Sequence, residues 1–289
     1  MNKIRFTANK DTNYVFHMLS VAQCGYDNEY GKRYRSLYAK EDLDCLKSRE
    51  DLITVCGGEH CGELYGLLVG EPACAKVSAK EYYQELLEIG NQLLEGRQIE
   101  GIYEGYIPYT RDIIEIALVM VKYYDHYMEN VWEREKERIE QYIPGMLERF
   151  EETGFTEKAE ALVGCRLKSP FFTATLVSSV AGGAEAIDIS KEQDVFGIDR
   201  DYESALYFIG HEFIIYLLFG ALEEEEAFQD FDTWPLTEGL AEYYLKKILG
   251  DTFRLFKKEQ KYVELYERMN SDVAMSAAQL YRAALAEVR

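Results

Sequence analysis

Two short segments carry the residues best suited to chemistry. The first is Ile209-Gly210-His211-Glu212-Phe213-Ile214-Ile215-Tyr216. The second is Trp234-Pro235-Leu236-Thr237-Glu238-Gly239-Leu240-Ala241-Glu242-Tyr243-Tyr244. A His-Glu pair on a helix, followed one turn later by a second His, is the arrangement that holds zinc. At about 100° per residue, positions i and i+4 lie about 40° apart, so both imidazoles reach one ion. The Glu beside the first His then takes a proton from a zinc-bound water, whose pKa the metal lowers to about 7. Here His211 and Glu212 occupy the first two places, and Ile215 stands where the second His belongs. Isoleucine has no lone pair to offer a metal. Tyr216 is one residue further, about 140° round from His211, and points elsewhere.

The second segment resembles the Trp-x-x-x-Glu-Gly-x-Ala segment of gluzincins, the zincin-fold zinc peptidases whose third ligand is a Glu. The resemblance runs from about Thr173 to Leu249. It implies that Glu238 is the third-ligand position and Glu212 the general-base position. It also implies that Glu242, one turn after Glu238, orients His211. The gap between Ile215 and Glu238 is 22 residues, somewhat longer than in the family, a loop difference. In the family the strand before the active-site helix binds extended substrate by main-chain pairing. Here that would be a strand around Ala181 to Ile189. Gluzincins commonly add a Tyr or His that hydrogen-bonds the oxyanion. Tyr262, Tyr266 and Tyr281 lie downstream, and the sequence does not choose among them.

With one ligand missing, the expectation is a gluzincin-like metallopeptidase homologue with a degraded zinc site, without hydrolytic activity, that binds peptide or protein in the old cleft. The alternative is an active zinc-dependent peptidase with a rearranged metal site. A third reading, from another class, is a helical scaffold with no cleft relation. Zinc is the one cofactor the motif could take, and Ile215 argues against it. Each residue also has an ordinary explanation. His211 fits a hydrogen-bonded core His, Glu212 a buried acid paired with a base, and Glu238 and Glu242 acids favoured near a helix N-terminus. Those explanations do not account for their joint occurrence. The other histidines are His17, His60 and His126. Cys56-Gly57-Gly58-Glu59-His60-Cys61 lacks the second ligand pair that a structural zinc site needs.

The elements that must position these residues follow from periodicity. The predicted fold is α+β, predominantly α-helical and zincin-like, with a small β-sheet before the active-site helix. Residues 1–105 read as a mostly helical N-terminal subdomain and 106–289 as the zincin-like domain, or the two as one continuous domain. Ser78-Ala79-Lys80-Glu81 is a capping box that opens a helix. A long helix is predicted from Thr110 to Tyr142, broken or kinked at Pro144-Gly145. Asp51 to Cys56 and Leu64 to Val69 fit short strands or buried helix ends equally. Thr173 to Val180 is rich in β-branched residues, Ala184 to Ile189 alternates, and Asp194 to Ile198 fits a third strand. Asp201 caps the helix carrying His211, from about Tyr202 to Leu222. A second helix runs from Leu236 to Leu249, and two more are predicted over Thr252–Met269 and Asp272–Val288. The acidic run Glu223 to Glu226 reads as a solvated loop.

Composition bounds the partners. The chain of 289 residues has 32 Lys and Arg against 52 Asp and Glu, a net charge of −20. Such a field repels phosphate backbones and anionic membranes, so neither nucleic acid nor membrane is expected as a partner. No N-terminal apolar run suggests a secretory signal, and no segment reads as an apolar span of about 18 residues. The expected compartment is cytoplasmic, with the six Cys reduced. The 23 Tyr against 2 Trp suit half-buried helix packing.

Overall fold

The computed structural model describes residues 2–25, 28–54, 62–97, 104–180, 184–198, 201–224, 233–250, 260–270 and 275–288. The chain opens with strand β1 (Ile4–Thr7) and helix α1 (Lys10–Val21). Asn9 caps α1, its side-chain oxygen accepting from the N–H groups of Asp11 and Thr12. Short helices α2 (Glu29–Tyr34), α3 (Lys40–Lys47) and α4 (Glu50–Ile53) follow. A π-helical turn, Gly66–Gly70, leads into α5 (Glu71–Cys74). The two ambiguous apolar runs are therefore helical where they are described, and residues 55–61 lie outside the described residues. Helix α6 (Ala79–Leu94) begins at the expected capping box of Ser78 and Glu81.

Helix α7 (Thr110–Tyr127) passes through a π turn, Met128–Trp132, into α8 (Glu133–Thr153), and α9 is Phe155–Val163. Pro144 sits inside α8 and does not end it. Pro144 is exposed, so water can satisfy the carbonyl that its missing N–H leaves free. A Cβ on Gly145 would overlap the Tyr202 ring, which lies 4.7 Å from that of Tyr142. Here Gly145 allows close packing instead of marking a break.

Strands β2 (Phe172–Val177), β3 (Ala184–Asp188) and β4 (Gln193–Gly197) complete a mixed sheet of order β1-β2-β4-β3. β1 and β4 flank β2 in parallel, and β3 runs antiparallel to β4 at the edge. Phe172, Ala174, Leu176 and Phe196 face one hydrophobic cluster, and Val177 and Val195 face another. The sheet is thus buried on both faces, which explains the nearly continuous apolar run in β2. The second cluster is built by the helices from α1 to α7. Within it, His17 places Nδ1 2.7 Å from the Tyr30 hydroxyl and Nε2 2.6 Å from that of Tyr38. Burial lowers its pKa to about 3, so it is a neutral core histidine. Four of the many Tyr rings pack around it.

The first cluster contains α10 (Tyr202–Glu224), α11 (Trp234–Leu249), α12 (Gln260–Met269) and α13 (Ala277–Val288). The predicted starts of the last two helices, in 251–259 and 271–274, lie outside the described residues. Contrary to the sequence expectation, one helix is long and apolar enough to cross a membrane by length and composition: Tyr202–Glu223. It packs between the sheet and α8, α9, α11 and α13. A helix that is apolar all round is what such a central position requires.

Candidate functional site

Two neighbouring helices set the site. Asp201 caps α10, accepting from the Ser204 N–H at 2.8 Å. Pro235 opens α11, where its missing donor costs nothing. One turn apart on α11, Glu238 and Glu242 share a face and bracket His211. Nε2 of His211 lies 3.0 Å from Oε2 of Glu238. Nδ1 lies 2.8 Å from Oε1 of Glu242, an ion-pair distance with poor hydrogen-bond alignment. The Tyr207 hydroxyl donates to that same Glu242 oxygen. His211 and Glu242 are buried, and Glu238 is half-buried.

Burial alone would lower the His211 pKa. Hydrogen bonding to Glu238 and Glu242 and the charge of Glu212 outweigh it, pushing the value up to about 10. At neutral pH His211 is therefore an imidazolium with both ring nitrogens protonated. Across from it, Tyr216 donates to Asp194 on β4 at 2.7 Å. Asp194 is raised by burial and by the charge of Glu212, against the Tyr216 hydrogen bond. Glu212 is raised by burial, opposed by His211 and helped by Glu238 and Glu185. The result is one cation among several carboxyl groups, two of which favour holding a proton.

Glycines beside the two motif residues make this geometry possible. A Cβ on Gly210 would lie 2.6 Å from Cζ of Phe155 on α9, and one on Gly239 would overlap Cβ of Tyr262 on α12. A helical Gly→Ala change ordinarily gains about 0.5–1 kcal/mol. We expect Gly239→Ala instead to lose about 1–3 kcal/mol, as overpacked cores do. Thermal denaturation alongside Gly105→Ala, whose Cβ meets nothing within 4 Å, checks this. An unchanged melting temperature for Gly239→Ala would refute it.

These residues do not fit a zinc site. Ile215, at the second-ligand position, is 3% exposed and packed in the core. Among the described residues no three His, Cys, Asp or Glu side chains converge to hold an ion. The Cys56 to Cys61 segment with His60 lies outside the described residues, and the described cysteines Cys24, Cys45, Cys74 and Cys165 are free thiols. His17 and His126 belong to the other cluster of helices.

The downstream tyrosines are engaged elsewhere. Tyr266 donates to the Leu236 carbonyl at 3.0 Å, and Tyr281 to Thr233 at 2.6 Å, both buried. Tyr262 packs on Gly239. Two tyrosines do join the cluster: Tyr216, set aside in the sequence analysis as pointing away from His211, donates to Asp194, and Tyr207 donates to Glu242; Tyr207 and Asp194 were not among the expected site residues. Tyr207 had a signal: it precedes His211 by one turn, on the same face. Asp194 had none, because strand pairing alone brings it to α10. Strand β3 occupies the expected place before the site helix. One of its carbonyls, that of Ala186, accepts from Tyr65 at 3.0 Å. From the acidic run, Glu223 pairs with Lys168, and residues 225 and 226 lie outside the described residues.

Comparison with protein-family models, with curated proteins and with solved structures finds no match to this chain.

Proposed function

We propose that this chain is a gluzincin-like metallopeptidase homologue of zincin type that has exchanged its metal site for a buried ion cluster and binds peptide or protein segments beside it. The carrying observation is the position of His211, held through both nitrogens by Glu238 and Glu242. The closeness of His211 to Glu238 and Glu242 supports this reading. The antiparallel edge strand β3, next to α10, supports the same reading. In this reading Glu212 has no metal-bound water to deprotonate. A peptide pairing with β3 has to compete with Tyr65 for Ala186.

Two measurements test the proposal. Purified protein is expected to carry far less than one zinc per chain by elemental analysis, and to leave peptide substrates intact when zinc is added. It is expected to bind extended peptides, followed by fluorescence anisotropy. Stoichiometric zinc that disappears in His211→Ala and Glu238→Ala would establish the rearranged-site peptidase instead.

A further inference from the structure

A cavity of about 660 Å³ opens on the same side of α10 as Tyr216. Tyr216, Phe219 and Leu222 line it from the helix, and Ile189, Ser190 and Glu192 from the β3–β4 connection. It falls within the size range of ligand pockets. Tyr216 joins it to the ion cluster, since its ring lines the cavity and its hydroxyl holds Asp194. The far wall is fixed: both Glu192 carboxylate oxygens accept backbone N–H groups, from Lys168 at 2.9 Å and Ser169 at 2.8 Å. The rings of Tyr216 and Phe219 meet edge to face, with centroids 6.0 Å apart. At the mouth Ile189 is 62% exposed. The rim carries Glu223, ion-paired with Lys168.

Lys168 lines the cavity too, as the partner of Glu223. We propose that this cavity seats an aromatic side chain of a peptide lying beside α10, with a Lys or Arg next to that side chain taking the place of Lys168 at Glu223. This rests on the peptide-binding reading above and names the ligand's chemistry. Aromatic walls favour an aromatic guest by edge contacts. The cluster next door is rich in carboxyl groups, and the chain carries −20 overall. An acidic peptide is therefore repelled and a basic one is drawn in.

The test uses fluorescein-labelled heptapeptides of one backbone, varied at two positions: Trp or Ala at the centre, Lys or Glu beside it. Anisotropy with the full chain is expected to show the Trp-Lys peptide binding about tenfold or more tighter than the Ala-Lys peptide. Ser190→Trp, an exposed position that fills the cavity, should remove that preference. Glu223→Lys should reduce the preference for Lys over Glu. Equal binding of Trp and Ala peptides, unaltered by Ser190→Trp, would overturn the pocket assignment and leave peptide binding standing. Binding of N-acetyl-tryptophanamide as tight as that of the peptide would give the cavity to a small aromatic ligand and overturn the peptide assignment. Absence of binding by every peptide would overturn the pocket and the parent reading together.

Discussion

Glu242→Ala is expected to lower stability by about 3–5 kcal/mol, the range for breaking a buried ion pair by removing one partner. The wild-type carboxylate is 1% exposed and answers two donors, the His211 ring and the Tyr207 hydroxyl. Truncation leaves a buried imidazolium beside Glu238 and removes the carboxylate to which the Tyr207 hydroxyl donates. It also leaves a void between α10 and α11. Glu242→Gln keeps the volume and can still accept from Tyr207, but it removes the charge. Its amide nitrogen would also meet the ring or replace Oε2, which is buried without a hydrogen-bond partner. A smaller loss is expected for it than for alanine. The double change His211→Leu with Glu242→Leu should cost less than Glu242→Ala alone, because it removes the desolvated charges together. Urea unfolding at pH 7, read as a shift of midpoint at constant slope, measures all three. A Glu242→Ala protein within about 0.5 kcal/mol of wild type would mean that the cluster does not hold the two helices together.

Much of this cluster was legible because helix geometry is regular. One turn separates Glu238 from Glu242, so a correct helix assignment already puts them on one face. The His-Glu pair needed only the apolar run around it to be read as a buried helix. What escaped depends on pairings far apart in sequence. β1 is four residues long, and its partner for Ile4 is Phe172. Nothing in Ile4-Arg5-Phe6-Thr7 announces that partner. Asp194 reaches the site only because β4 lies between β2 and β3. Pro144 and Gly145 read as a stop by local rules, yet tertiary packing of Tyr202 against α8 overrides them. The apolarity of α10 spreads round the whole helix, so periodicity showed neither its buried length nor the membrane-like composition that comes with it.

On the proposed reading, Ile215 in place of a second ligand also changes what the remaining residues do for one another. In a zinc site a metal charge would offset Glu212 and Glu238. Here His211 is the cation that lies against Glu238 and Glu242, and Asp194 and Glu212 shift upward because they are buried and, second, because they face other carboxylates. Ile215 is consistent with this. It fills core space between α10 and its neighbours, and an imidazole at that point would face the same burial with no carboxylate assigned to it. Ile215→His therefore tests more than ligand number, since zinc uptake would require His211 to give up its proton.

That arrangement predicts an unusual pH profile, with stability falling from about pH 4 to pH 10. His211 titrates near 10 in the folded chain and near 6.5 when unfolded. Its contribution is fully present below about 6.5 and is lost as pH rises through 10, on the order of 5 kcal/mol. Asp194 and Glu212 are raised as well. The folded chain keeps protons on them that the unfolded chain releases at about pH 4, so they add to the decline as pH rises to their folded values. Other carboxylates act at the acid end. Asp42, despite the opposing effect of its burial, is lowered by Lys122 and Tyr123, and Asp188, likewise against burial, by Lys191 and Ser190. Their stabilisation is lost as pH falls below about 4, which places the maximum near pH 4, where the decline from Asp194 and Glu212 begins. The high net negative charge would also produce some alkaline decline, so the discriminating comparison is His211→Gln, which keeps every acid. It should be less stable than wild type at pH 6 and show a flatter slope between pH 6.5 and 10. Glu212→Gln should gain relative to wild type at pH 8, where the wild-type carboxyl is burdened by its neighbours. Urea midpoints at half-unit pH intervals resolve these slopes, and parallel curves for wild type and His211→Gln would show that the imidazolium is not the ion the cluster is built around.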